Sequence, residues 1–382
     1  MAGDNAAALD RVSGEGLREN QPEQALEVVS PWPGPPDPEL LLAAAGDLEA
    51  ACGRLQGLLQ NRLDNGQRFR VLKQLARVLD RLERYSEVFT HLHRAAGLSL
   101  ELPSVQAQDH SLIPGLIESY HETLDADVLA RCARMGHPRE FPPPVFLVGF
   151  PGSGARLVQE ALDARPDVLV ADEPDLISRL WRRIDPDPRR VPARLARMGC
   201  DEITSLRRAY WEYWREYHGG LPEGKLPVDK TVMNCIHLGL INCLFPDGKV
   251  VFMVRDPRDI MLECFLGSLE PSPETVHLFS WVGAAAYYRL VMEWWWVLRQ
   301  RLTLTWTELR YEDAVLHFDE TFRWLSAFLG LEEGRSQAGF SSGQVPLLPD
   351  QGSVGRWRCY LDEFISVRHL LADQIDEYGW RG

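Results

Sequence analysis

The sequence predicts an α/β domain: a central parallel sheet flanked by helices, with a phosphate-loop-like turn after its first strand, preceded by a short helical region. Two observations predict the domain. Apolar runs, PPPVFLVGF from Pro142, VVFMV at 250–254 and LTLTW at 302–306, read as buried parallel strands alternating with long helical patterns. One of them, VFLVGFPGSGARLVQEAL at 145–162, runs strand, glycine-rich turn, helix. A third observation, apolar residues at helical spacing upstream of residue 140, predicts the helical region.

Residues 1–37 are polar and then proline-rich (PWPGPPDP), which predicts a weakly ordered lead-in. Residues 38–140 read as a helical region and connector. Leu72, Leu75, Ala76 and Leu79 share one face. After a break at Glu83–Ser86, Val88, Leu92 and Ala95 share a second. That spacing resembles one tetratricopeptide repeat, and Ala51, Leu55 and Leu58 repeat its second half less clearly. Two degenerate copies are too few for a free-standing solenoid. The alternative is a plain helical hairpin docked on the main domain, residues 141–382.

The 382 residues allow one large domain plus a smaller one, and a hydrophobic fraction of 45% supplies a core. The formal net charge of -14 disfavours non-specific nucleic-acid binding, which needs a dominant basic surface. Seven scattered cysteines form no CxxC pair and no Cys/His cluster, so free thiols in a reducing compartment are expected, with neither disulfide scaffold nor metal site. MAGDNAAALD is no secretory signal. The apolar stretch at Trp294, Trp295 and Trp296 is interrupted by Arg289, Glu293 and Arg299, too charged to span a bilayer. A cytoplasmic location is expected. The same tryptophan-rich helix reads as core rather than as a binding stripe.

In the turn, Gly149, Gly152 and Gly154 allow a tight reversal that points amides at an anion, and the helix opening near Ala155 adds its positive dipole end. No Lys-Ser/Thr follows the last glycine, so the turn is not a Walker loop, nor is it a Rossmann fingerprint. Alone, it reads equally as a structural turn.

Five segments in order carry a resemblance. Gly149-Phe150-Pro151-Gly152-Ser153-Gly154-Ala155-Arg156-Leu157 resembles a G-x-P-R-S-G-T-T-L loop, and VDKTVMNCIHLGLINCLFP at 228–246 a D-K-x-x-x-N-x-x-H-L-G-L-I segment. Arg255-Asp256-Pro257-Arg258-Asp259 resembles R-D-P-x-D-x-x-x-S, RYEDAV at 310–315 a Y-E-D element, and SSGQVPLLPDQGSVGRWRCY at 341–360 a closing loop. Together they resemble the PAPS-dependent sulfotransferases, nearest to tyrosylprotein sulfotransferases and bacterial sulfotransferases with tetratricopeptide repeats. The likeness covers residues 143–360.

The resemblance implies a donor, PAPS (3′-phosphoadenylyl sulfate), with no metal, and a hydroxyl-bearing acceptor, with a protein tyrosine among the candidates. It implies that Gly149, Pro151, Gly152, Ser153, Gly154, Ala155 and Arg156 surround the phosphosulfate. It places Arg255, Glu263 and Arg356 around the 3′-phosphate, and Tyr311 and Trp357 near the adenine. Glu173, in VADEPD, falls at the position of the base, Lys230 at that of the cation meeting the sulfuryl group, and Ser341 at that of a hydroxyl facing it. Read as residues alone, Arg255 could equally be a surface ion pair with Asp256 or Asp259. Glu173 could be a helix-start cap, Lys230 an ordinary partner of Asp229, and Ser341 a loop serine.

Three departures stand out. Gly152 replaces the loop's basic residue, Ala155-Arg156 replaces Thr-Thr, and Glu263 replaces the 3′-phosphate serine. A carboxylate beside that dianion costs on the order of 1 kcal/mol. On this reading Gly152→Arg restores the missing contact. The departures also keep open a catalytically impaired binding protein that docks a partner through its helical repeats, and less strongly a P-loop nucleotide kinase. Arg182, Arg183, Arg189, Arg190, Arg194 and Arg197 read either as a platform for an acidic peptide or glycan acceptor or as a solvated helix face.

Overall fold

The computed structural model describes residues 48–135, 141–331 and 351–380. The expected lead-in therefore lies outside the described residues, as does Ser341. The chain divides into two compact units. One runs through Ala107 and includes Leu266–Ser268; the other holds Gln108–Phe265 and the chain from Leu269 onward. Helices expected as a connector, Leu112–Thr123 and Ala126–Arg134, belong to the second unit.

The first unit consists of helices Leu48–Leu58, Asn65–Arg81 and Tyr85–Ser99 and the single turn Pro103–Gln106. Asp64 and Gln67 form a capping box that starts the second helix, so its first amides are satisfied locally. A turn at Leu82–Arg84, with Glu83 at φ 60°, reverses the chain. The two predicted stripes, Leu72, Leu75, Ala76 and Leu79 with Val88, Leu92 and Ala95, are all buried, as are Ala51 and Leu55. Burial of each leucine or valine among them contributes about 1.5–3 kcal/mol.

The second unit is built on five parallel strands, β1 Val145–Gly149, β2 Val168–Asp172, β3 Leu226–Lys230, β4 Lys249–Val254 and β5 Thr305–Arg310, ordered β2-β3-β1-β4-β5. β1 is buried at every position, which is why it reads as a continuous apolar run. Phe252 on β4 stacks on Trp295 at 4.1 Å, and Trp294 donates its indole N–H to the Ile236 carbonyl. The tryptophan-rich helix, Trp281–Leu298, is thus core.

The third apolar run starts its strand three residues later than expected, at Thr305 rather than 302. The fully buried Asn242 is the reason. Its Oδ1 accepts from the Thr303 amide (2.7 Å), the Thr303 hydroxyl (3.1 Å) and the Leu304 amide (3.1 Å), so these amides are unavailable to the ladder. Asn242→Ala leaves those groups unpaired and is expected to cost about 2–3 kcal/mol, measured as a lower urea midpoint at unchanged slope.

Parallel strands bring all their carboxyl ends to one edge, where open α/β sheets carry their ligands. Gly149, Asp172, Lys230, Val254 and Arg310 end the five strands there.

Candidate functional site

The chain leaves β1 at Gly149 and reverses through Pro151–Gly154, with the Ser153 amide donating to the Phe150 carbonyl at 3.0 Å. Gly149 must lack a side chain: a Cβ there would lie 2.7 Å from Ser153 Oγ and 2.9 Å from the Met253 carbonyl. Gly152 and Gly154 hold φ +82° and +85°, the left-handed region that favours glycine. Helix Ala155–Asp163 begins with no side-chain cap, so its first amides and its dipole face outward. Ser153 is fully buried, and its hydroxyl has no hydrogen-bond partner among the described residues.

Two side chains pull the carbonyls of this turn the other way. The Cys264 thiol donates to the Pro151 carbonyl at 3.1 Å, and Arg255 Nη1 donates to the Gly152 carbonyl at 2.9 Å. Tying the Pro151 carbonyl inward orients the Gly152 amide of the same peptide plane outward, whereas the Ser153 amide is held within the turn by the Phe150 carbonyl.

Arg255 is buried rather than paired at the surface. Its Nη2 donates to the Ser353 carbonyl (3.0 Å), its guanidinium lies 4.3 Å from the Tyr311 ring centre, and its Nε is buried without a partner among the described residues. The rest of the Arg-Asp-Pro-Arg-Asp motif is a junction. The Asp256 amide donates to Glu312 Oε1, and Arg258 forks onto the Asp256 carboxylate. Asp259, 2% exposed, accepts the amides of Gly355 (2.6 Å) and Trp357 (2.9 Å), and burial raises its pKa. One motif thus joins the turn, the Tyr-Glu-Asp helix and the closing segment, where Arg356 opens the 3-10 helix Arg356–Ser366.

The structure places the two aromatic residues expected near the adenine as follows. Trp357 is buried, with Arg258 3.5 Å from its ring centre and Phe364 edge-on, so its ring is spoken for by packing. Tyr311 lies against Gly154 instead of offering an open face. Its hydroxyl shares a hydrogen bond with Ser353 Oγ at 2.8 Å, and a Cβ on Gly154 would meet its ring at 2.0 Å.

The departures from the motif are not compensated. Arg156 turns outward along its own helix to Glu160 (2.7 Å) with 77% of its side chain exposed. Ala155 is buried beside it. Glu263 is exposed, its Cβ 3.3 Å from where a Gly152 Cβ would sit, so an acid stands beside the turn. Gly152→Arg is not a simple restoration either. Beyond the left-handed backbone, its Cβ would lie 3.2 Å from the Ile260 carbonyl and 3.3 Å from Cys264 Sγ.

At the other side of the edge, Lys230 ends β3 with its side chain 12% exposed and bridges two acids: Asp172 Oδ1 at 2.9 Å and Glu173 Oε1 at 3.0 Å. It is therefore no partner of Asp229. Burial works against the Lys230 charge, but the two carboxylates outweigh it and raise its pKa. Asp172 moves the opposite way: burial opposes its charge, and hydrogen bonds from Lys230 and Gln159 lower its pKa. Glu173 also receives the Val232 amide at 3.4 Å, and its own amide donates to the Lys230 carbonyl. Glu173 and Asp175 hold φ 48° and 52°, a left-handed backbone costing about 1 kcal/mol each, so Glu173 is held in place rather than resting there.

The predicted arginine platform is mostly neutralised from within. Arg189 pairs with Asp109 (2.6 Å), Arg194 with buried Asp185 (2.7 Å) and Arg182 with Asp175 (3.1 Å). Sequence reasoning gave Asp172 and Cys264 no role, and Asp229 and Asp259 none beyond pairing with Lys230 and Arg255. Asp172, Asp229 and Asp259 stood inside quoted motifs, whereas nothing local marks Cys264.

A family model described as the sulfotransferase family matches residues 143–334, half of the chain. The chain belongs to the sulfotransferase family. An uncharacterized protein of Aquifex aeolicus (strain VF5) is 25% identical over 329 residues, 78% of this chain and 41% of that protein, so the chain spans about two fifths of that curated relative's length. Among solved structures, the sulfotransferase domain of the Synechococcus PCC 7002 olefin synthase is 17% identical (63% of this chain, 98% of that one; TM-score 0.41). A Mycobacterium avium sulfotransferase is 13% identical (87% and 96%; TM-score 0.43). The family assignment rests on the family model. The sulfotransferase match embraces the turn, Glu173, Lys230, Arg255 and Tyr311, and ends before the closing segment.

Proposed function

We propose that the second unit transfers a sulfuryl group from PAPS to a hydroxyl acceptor. One observation carries this reading: a single sheet edge gathers the glycine turn after β1, Glu173 after β2, Lys230 at the end of β3 and Arg255 after β4. The donor set suits an anion. Among the described residues Ser153 Oγ and Arg255 Nε are buried without partners, and the helix after the turn has no side-chain cap.

In this reading the turn amides and Ser153 hold the 5′-phosphosulfate, and the remaining Arg255 N–H groups hold the 3′-phosphate. Glu173 accepts the acceptor's proton as the acceptor oxygen bonds to sulfur. The sulfur–oxygen bond to the nucleotide breaks, its electrons stay with the phosphate of 3′,5′-ADP, and Lys230 offsets the charge arriving there. A protein tyrosine is the acceptor we favour. We place the protein in the cytoplasm, a setting supported by seven free cysteines. Among the described residues no helix is long and apolar enough to cross a membrane.

Glu263 beside Gly152 favours a second reading, nucleotide binding without transfer, with the helical repeats docking a partner. Thermal shifts separate the possibilities. At a hundredfold excess over its dissociation constant, 3′,5′-ADP is expected to stabilise by about 2.7 kcal/mol without magnesium. Stabilisation by magnesium-ATP alone would instead indicate a kinase and defeat both readings. Glu173→Gln is expected to keep the 3′,5′-ADP shift and to lower transfer by about 100-fold or more. Unchanged turnover in that variant removes Glu173 from the mechanism.

A further inference from the structure

We propose that Asp229 is a positioning residue: its carboxyl group shapes the turn after β3 so that the Lys230 ammonium and the Val232 amide meet on Glu173 Oε1. The inference rests on the reading of Glu173 as the base.

Asp229 is fully buried on β3, and among the described residues no cation stands within ion-pair distance of it. Three neutral groups satisfy it. The Tyr210 hydroxyl donates to Oδ2 (3.1 Å), and the Thr231 hydroxyl (2.9 Å) and Asn234 side-chain Nδ2 (3.4 Å) donate to Oδ1. Burying a carboxyl group without a cation is costly, so so complete a donor set points to a task.

The task is visible in the neighbouring bonds. Thr231 and Asn234 bracket Val232, and the Asn234 amide closes the turn onto the Thr231 carbonyl at 3.0 Å. A carboxyl group holding both side chains fixes the direction of the Val232 N–H between them, which reaches Glu173 Oε1 at 3.4 Å. Successive strand residues face opposite ways, so Lys230 turns from Asp229 toward Asp172 and Glu173.

Electrostatics supports the geometry. Burial, with the Glu173 charge adding to it, lifts Asp229 from 3.8 to about 7 against its hydrogen bonds from Thr231 and Tyr210. Tyr210 and Tyr217 face it from helix Cys200–His218, Glu173 from the end of β2, and Lys230 adjoins it on β3. Because the folded value lies above the ordinary one, the folded chain holds this proton more tightly. Its contribution to stability therefore falls as pH rises from 3.8 to about 7 and is level above.

The test compares Asp229→Ala, Asp229→Asn and Thr231→Val with the unmodified chain by acetic anhydride labelling of lysines and mass spectrometry. Lys230 labelling is expected to rise about tenfold or more in Asp229→Ala, less in Thr231→Val, and to stay within about threefold in Asp229→Asn, whose amide can reproduce the three bonds. Lys225 and Lys249 serve as internal controls; if all lysines rise together in Asp229→Ala, that variant is unfolded and Thr231→Val decides. Asp229→Asn is also expected to lose the fall in Tm between pH 5 and about 7. Unchanged Lys230 labelling in folded Asp229→Ala or in Thr231→Val overturns the proposal. Where transfer is measurable, Asp229→Ala lowers kcat with little change in KM for PAPS. Absence of transfer by the unmodified chain counts against the proposed function, not against the labelling result.

Discussion

Arg255→Ala is expected to abolish the thermal shift given by 3′,5′-ADP and to destabilise the second unit by about 3–5 kcal/mol. The size follows from what the guanidinium does. It satisfies the Gly152 and Ser353 carbonyls with charge-assisted hydrogen bonds while almost fully buried, and it lies over the Tyr311 ring. Truncation leaves two carbonyls without donors and frees the turn from one of its two tethers. Because so large a loss can mask a binding defect, Arg255→Lys provides the second arm. It keeps the charge but cannot fork, and is expected to melt nearer the unmodified chain while still losing most of the 3′,5′-ADP shift. A full shift in Arg255→Lys would mean that a point charge suffices and that the fork has no part in binding.

The second large effect is expected at Gly154. Gly154→Ala places a methyl group 2.0 Å from the Tyr311 ring on a left-handed backbone, so ring or turn must move. The expected cost is about 2–4 kcal/mol together with loss of nucleotide binding. Gly219 supplies the control: it shares the left-handed conformation (φ +75°) but has nothing within 4 Å of its Cβ position. Gly219→Ala is expected to cost only about 1 kcal/mol, the backbone contribution. Chemical denaturation of the two variants in parallel isolates the Tyr311 contact. Equal midpoints would show that Tyr311 yields freely and does not shape the turn.

Legibility from sequence varied with what each segment had to do. β1 and β4 were readable because both faces of an inner parallel strand are buried, leaving an apolar run. β2, VLVAD, and β3, LPVDK, were not singled out as strands. They are short, β3 carries Pro227, and both end in charged residues because their carboxyl ends furnish Asp172 and Lys230 to the edge. β5 was misplaced by the Asn242 side chain, a contact some sixty residues distant in sequence that no local pattern announces.

The site divided in the same way. The order of motifs located Glu173, Lys230 and Arg255 on what became one edge. Tyr311 and Trp357 were located equally well, but their packing against Gly154 and Arg258 was not legible in the sequence. The missing basic residue at 152 looked like a vacancy to be filled, whereas the backbone conformation and the adjacent helix leave little room for it.

The amino-acid sequence by itself determined the α/β class, the glycine turn and the family motifs, because hydrophobic period, glycine and motif spacing are properties of neighbours along the chain. Tertiary structure alone decided which hydrogen bonds those residues make: that Arg255 holds the turn, that Lys230 joins Asp172 to Glu173, and that Asp229 is buried on three neutral donors. These depend on how five carboxyl ends converge in space, and convergence between distant segments leaves no periodic trace in a sequence.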